Sequence, residues 1–198
     1  LLSAPNPQKF PSANLETETF DPTTKFIRIS PKNVNEPFFG HTGANRFDDS
    51  TCVYGTSYMG FTLHCAFAET VLHNEVADPV NGFLIPSYEL GRRFVITFDG
   101  SSVVLAKLCG IPLKRLGGDG SLSTVLPYDV PQAWGQAVYA HPKKVDGILY
   151  VSRHLNTEQA VVLFEDRAKS KVHMTSATPF PKYAGSANVL VDFNVTPS

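Results

Sequence analysis

A chain of 198 residues is naturally read as one domain with a sizeable core. Its 42% hydrophobic and 18% charged residues place it among ordinary globular proteins and exclude a disordered chain. A formal net charge of −1 gives no electrostatic ground for a nucleic-acid partner, and no apolar run approaches a membrane span.

Residues 1–22 are rich in Pro, Asn, Ser and Thr and read as an extended lead-in with one short helical stretch. Lys25 to Ser30 carries β-branched and aromatic residues and is predicted as a strand that Pro31 ends. Residues 31–50 hold too much Gly and Asn for regular structure; long loops in compact domains are often functional. Thr51 to Gly55 is predicted as a short strand. Residues 58–75 are predicted as a helix, because Leu63, Phe67 and Val71 recur at i, i+4 and i+8, with Ser57 as N-cap. Glu69 falls about a third of a turn from that stripe, beside the small residues Ala66 and Cys65, a position at the edge of a cleft.

Phe94 to Phe98 and Val103 to Ala106 are predicted strands around the turn Asp99-Gly100-Ser101. Pro131 to His141 reads as a helix with Pro131 in its first turn. Gly147 to Ser152 and Gln159 to Phe164 read as two strong strands. Residues beyond 170 are polar, with one strand-like patch, Val189 to Val195. Strands outnumber helices without strict alternation, which predicts an α+β fold rather than a doubly wound sheet.

Cys52, Cys65 and Cys109 are an odd set without metal-type spacing. Cys52 and Cys65 sit in apolar sequence and are expected as small buried hydrophobes in a reduced, cytoplasmic protein. Gly55-Thr56-Ser57-Tyr58-Met59-Gly60 misses the G-x-S-x-G elbow by one residue. No H-E-x-x-H occurs and the six His are scattered, so no metal site is expected. P-loop and G-x-G-x-x-G motifs are also lacking.

Three polar residues stand in apolar sequence: Arg28 in Phe26-Ile27-Arg28-Ile29, Glu69 in Ala66-Phe67-Ala68-Glu69, and Ser152 after Gly147-Ile148-Leu149-Tyr150-Val151. Burying such an Arg or Glu is costly unless it is paired or used. On the residues alone, Arg28 paired with Glu69 or Asp48 is the plainer reading. The ordered set Arg28, Gly43-Ala44-Asn45-Arg46-Phe47-Asp48, Val53-Tyr54, Ala66-Phe67-Ala68-Glu69, Asp146 to Ser152 and Ala160 to Phe164 nevertheless resembles the RES domain family. The resemblance spans about Phe26 to Asp166. It departs at Ile29, where many relatives carry an aromatic residue; Tyr54 or Tyr58 is then the stacking partner.

The resemblance implies a split mixed β-sheet core related to ADP-ribosyltransferases, with flanking helices. It divides the chain into the lead-in 1–22, an NAD-binding domain over 23–170 and a C-terminal extension over 171–198 packed on the same domain. It further implies a toxin of a toxin–antitoxin pair that takes NAD+ as substrate, needs no other cofactor and no metal, and cleaves the nicotinamide–ribose bond. The acceptor is water, inorganic phosphate or a protein; a catalytically silent nucleotide- or partner-binding module is the rival. A cognate antitoxin is the expected partner, and a homodimer is permitted. Chemistry then distributes the roles. Glu69 is expected to stabilise the ribosyl cation, as a carboxylate does beside developing positive charge. Arg28 and Arg46 are expected on the pyrophosphate. Tyr54 and Tyr58 offer flat faces to the cationic nicotinamide ring, and Ser152 a hydrogen bond to its amide or to a ribose hydroxyl.

Overall fold

The strand Gln159–Phe164 shows why the sheet forms. Its residues alternate between two cores: Ala160, Val162 and Phe164 enter one, Val161 and Leu163 the other. A strand covered on both faces reads as an unbroken apolar run. The computed structural model describes residues 2–198. In chain order it contains β1 (Thr17–Phe20), β2 (Phe26–Ser30), β3 (Thr56–Gly60), α1 (Leu63–Thr70), β4 (Phe83–Ile85), α2 (Ser87–Gly91), β5 (Phe94–Gly100) and β6 (Val103–Leu108). There follow α3 (Gly110–Arg115), α4 (Asp129–Ala140), β7 (Gly147–Val151), β8 (Gln159–Phe164), α5 (Glu165–Ala168), β9 (Val172–Pro179), α6 (Ser186–Asp192) and β10 (Val195–Pro197).

Eight strands form one mixed sheet in the order β1-β6-β7-β8-β3-β2-β5-β9, and β4 pairs with β10 beside it. The pairing of β6 with β7 is parallel and the other pairings of the large sheet are antiparallel. Only Ile27 and Gly60 pair between β2 and β3. The sheet is therefore split into a five-stranded part ending at β3 and a three-stranded part starting at β2, as the expected α+β fold requires.

The two parts face one another. Only Ser101 and Ser102 separate β5 from β6, yet four strands lie between them in the sheet order. The sheet must curl for so short a link to suffice. Phe26, Ile96 and Phe98 of one part meet Met59, Leu105, Leu149, Val161 and Leu163 of the other in the core so enclosed. Outside, α4 lays Trp134 and Val138 on the five-stranded part, and α1 lays Leu63, Ala66 and Phe67 on the three-stranded part. Gly147 sits where β7 and β8 run close; a Cβ there would meet the Val162 carbonyl oxygen at 2.2 Å.

Several expectations change. Thr51 to Gly55 is not a strand. The Asp49 carboxylate accepts the N–H groups of Thr51 and Val53, which coils the segment, and the strand begins at Thr56. Ser57 lies in that strand, and Thr62 caps α1 instead, accepting the Cys65 N–H at 3.0 Å. Val189 to Val195 is mostly helix: α6 buries Val189 against the α1 side, and only its last residue opens β10. So short an apolar run carries no period that separates helix from strand. Residues 172–179, read from the sequence only as polar, form the edge strand β9, which pairs along β5. Cys52 is exposed at the loop turn rather than buried; all three cysteines are free, and burial pushes the Cys65 thiol up to about 12.

The long loop between β2 and β3 is tied down at several points, among them Asp49 to Gln136 and His41 to Glu165. Burial alone would raise the Asp49 carboxyl, but hydrogen bonds from Thr51, Gln136 and Val53 hold it at about 2. His41 lies 2.6 Å from a Glu165 oxygen at the start of α5. That bond raises the His41 pKa above 6.5, and bonds from Lys169 and His41 lower Glu165.

Phe98→Ala should cost about 3–5 kcal/mol, the usual loss for a buried Phe, read as a shift of the urea unfolding midpoint. A loss below about 1 kcal/mol would mean that the two sheet parts do not share that core. The His41 tie is fully present below its unfolded pKa and is lost as pH rises through the raised folded value. At the acid end it fades as pH falls through the lowered pKa of Glu165. The protection of amides 40–56, exchange corrected for its intrinsic pH dependence, should therefore drop above that His41 pKa in the native chain, and show no such step in Glu165→Gln.

Candidate functional site

Beyond the Ile27–Gly60 pair, β2 follows β5 and β3 follows β8, and the two strands part. The opening holds a cleft of about 400 Å³. Its walls are Ile27 to Ile29 of β2, Tyr58 to Gly60 of β3, the last turn of α1, the loop at Asn45 and Arg46, and the turn after β7 at Arg153 and His154. Glu69, Arg28, Arg46 and Tyr58 all line it, so the split brings together residues up to 41 positions apart in the sequence.

Glu69 stands in the last turn of α1. Its Oε1 accepts the Ser152 hydroxyl at 2.5 Å and the His154 N–H at 3.3 Å. Ser152 is 1% exposed and its Oγ also accepts the Leu155 N–H at 3.0 Å. Ser152 therefore sits behind Glu69 and orients the carboxylate; it does not reach into the cleft as expected. A carboxylate so held keeps one direction without a search over rotamers.

Arg28 pairs with neither Glu69 nor Asp48. Its Nη1 donates to the Phe38 carbonyl at 3.1 Å and to Ser57 Oγ at 3.0 Å, and lies 3.6 Å from Glu36. Burial draws its pKa down and Glu36 opposes that. The bond to Ser57 crosses from β2 to β3, spanning the split. Arg46 is 7% exposed. Its Nη1 donates to the carbonyls of Leu122 and Val125, and its guanidinium lies 4.7 Å from the Tyr128 ring. Its Nη2 is buried with no hydrogen-bond partner among the described residues. A buried guanidinium nitrogen left unpaired is costly, and an anionic oxygen would satisfy it.

Asp48 fixes the loop that carries Arg46. It accepts bonds from Thr56, from the Tyr58 hydroxyl at 3.0 Å, and from the backbone and side chain of Asn45, each at 3.0 Å. Tyr58 thus shows the cleft its ring, with the hydroxyl locked between Asp48 and the Phe47 N–H; burial, then Asp48, lifts its pKa well above the usual range. Tyr54 is not in the cleft. It stacks on Tyr139 with ring centroids 3.7 Å apart and lines a separate hollow with Glu165 and Lys169. The misplaced strand explains this: Tyr54 precedes β3, whereas Tyr58 lies within it.

The sequence reading missed Tyr128, Tyr150, Arg153, His73 and His154, all of which line the cleft. Two signals were present. His73 follows Glu69 by four residues, a spacing that shares one helix face. Arg153 and His154 directly follow Ser152. Tyr128 had none, since it arrives from the turn before α4. Three guanidiniums and one carboxylate make the cleft locally basic on a chain of net charge −1, a distribution that concentrates anions.

Among the described residues, no helix is long and apolar enough to cross a membrane. The chain is 36% identical over 92 residues to a protein of Sinorhizobium fredii (strain NBRC 101917 / NGR234) named probable toxin y4kH, covering 42% of this chain and 71% of that protein. Its fold matches a chain in the crystal structure of the M. tuberculosis MbcT–MbcA toxin–antitoxin complex with a TM-score of 0.63. That match covers 89% of this chain and 91% of the other at 11% identity, so it speaks for the fold alone. The family model of the RES domain matches residues 25–182, through β9 and well past the end of the resemblance read from the sequence. The chain belongs to the RES domain family.

Proposed function

We propose that this protein is the toxin of a toxin–antitoxin pair, and that it binds NAD+ in the cleft and cleaves the nicotinamide–ribose bond. One observation carries the reading: a single oriented carboxylate, Glu69, faces a cluster of arginines across a cleft of about 400 Å³. NAD+ has the matching charges, a pyrophosphate at its centre and a cationic ring at one end.

The pyrophosphate would take the unpaired Nη2 of Arg46 together with Arg28 or Arg153. The nicotinamide ring would lie against Tyr58 or Tyr150, whose faces attract a cation. The glycosidic bond then breaks, and its electron pair passes to the ring nitrogen, leaving neutral nicotinamide. The ribose carbon gains positive charge shared with the ring oxygen. Glu69 stabilises that charge, and the bond from Ser152 keeps its carboxylate aimed. An oxygen of water, phosphate or a protein side chain closes the new bond and releases its proton to Glu69 or solvent. An antitoxin is expected to bind the toxin and silence it, as the relatives named as toxins suggest.

Proton NMR of the purified chain with NAD+, with and without phosphate, should show free nicotinamide and identify the acceptor from the second product. Intact NAD+ under both conditions, with no label transferred to protein from labelled NAD+, would sink the reading. Glu69→Gln should lower kcat/KM by about 10²–10³-fold, the usual cost of losing one group that stabilises transition-state charge. Ser152→Ala should lower kcat by about 10–100-fold, the worth of a hydrogen bond to a charged group, with KM little changed. A folded Ser152→Ala chain with normal kcat would remove its orienting role. Arg46→Ala should act chiefly on KM, raising it by about tenfold or more.

A further inference from the structure

The carboxylate of Glu69 has neighbours that the cleavage reaction does not use. His73 lies in the turn beyond α1 and His154 in the turn beyond β7. One ligand atom from each of Glu69, His73 and His154 lies within 4.8 Å of the others. The two imidazole rings have centroids 4.5 Å apart with planes tilted by 44°. Among the described residues, the hydrogen bonds of the carboxylate run through Oε1, which leaves Oε2 available to a ligand. The Nε2 of His154 is buried with no hydrogen-bond partner among the described residues. A buried ring nitrogen without a partner calls for an explanation, and a ligand is one.

We propose that Glu69, His73 and His154 form a binding site for a divalent transition-metal ion of the zinc type, and that the bound ion shuts off the cleft. Two imidazoles and a carboxylate with a fourth position open are a donor set that zinc accepts. Ligand bonds of about 2.0–2.1 Å put tetrahedral donor atoms roughly 3.4 Å apart. The donor atoms, within 4.8 Å of one another, reach that spacing by side-chain rotation, and both His73 and His154 stand outside regular structure. Arg46 and Arg153 weaken the site for a bare cation and favour an anion as the fourth ligand. Ser152 holds the Glu69 ligand from behind, as groups behind metal ligands commonly do. The blocking role rests on the cleavage reading above, because the ion takes the carboxylate that the ribosyl cation needs. The binding itself does not.

The test titrates the full chain with Co2+ and then Zn2+, following visible absorption, calorimetric stoichiometry and the imidazole ring protons. The expected result is one ion per chain, a tetrahedral cobalt spectrum, and ring shifts at His73 and His154. The double variants His73→Ala/His154→Ala and His73→Gln/His154→Gln, checked for fold by circular dichroism, should bind about tenfold more weakly or worse, about 1.4 kcal/mol. His64→Ala, whose imidazole pairs with Asp192 outside the cleft, should bind as the native chain does. Absence of saturable binding, or equal binding by a folded double variant, overturns the site. NAD+ turnover should fall in step with zinc occupancy; unchanged turnover at full occupancy overturns the blocking role. Binding is measured without NAD+, so failure of the cleavage reading leaves that arm decisive.

Discussion

The structure depends on the single backbone pair between Ile27 and Gly60. Full pairing of β2 with β3 would satisfy more backbone groups and would leave no cleft. Instead each strand finds its ladder on the far side, β2 with β5 and β3 with β8. The exposed inner edges are then covered by side chains and by the long loop. Arg28 bridges the gap to Ser57, and the Asp48 hydrogen bonds pin the loop to β3. The site is thus a consequence of pairing withheld. Edges left open in a sheet invite other chains; here the opening faces arginines and a carboxylate rather than solvent alone.

The parts of the fold that were legible share one property: their residues are buried for local reasons. β5, β7 and β8 are apolar on both faces and could hardly be anything else. β9 is an edge strand of Thr, Ser and His, and its strand character comes from the β5 ladder rather than from its own side chains. α6 failed for the opposite reason, since three consecutive apolar residues fit either period. In the site, Glu69, Arg28, Arg46 and Tyr58 were legible as polar or aromatic residues in unusual sequence, and they meet in the cleft. Ser152 was legible as a residue but not in its orientation, because only the position of α1 shows that its hydroxyl is spent on Glu69. Tyr54 was misplaced with its strand. Tyr128, Arg153, His73 and His154 converge from three turns, and no local pattern marks convergence.

Charge tells the same story at another scale. A net charge of −1 describes the molecule and misleads about the cleft, where three guanidiniums outnumber one carboxylate. Low-dielectric walls strengthen that imbalance. The compensation lies behind the wall: Glu36, with a side chain 1% exposed, sits against Arg28 and is out of a ligand's reach. Cations are thereby held without being neutralised on the side that matters.

The two-residue link of Ser101 and Ser102 has a consequence for the birth of the molecule. The chain crosses the split between β1 and β2, β2 and β3, β3 and β5, β5 and β6, and again between β8 and β9. Neither half of the sheet is a contiguous segment, so neither can form early on its own. Contacts so distant along the chain must await the closure of large loops, which slows folding. During synthesis the three-stranded half lacks its edge until β9 has emerged, after all five strands of the other half. A chain emerging as far as β8 therefore carries all the cleft residues while still lacking the strand that completes the three-stranded half.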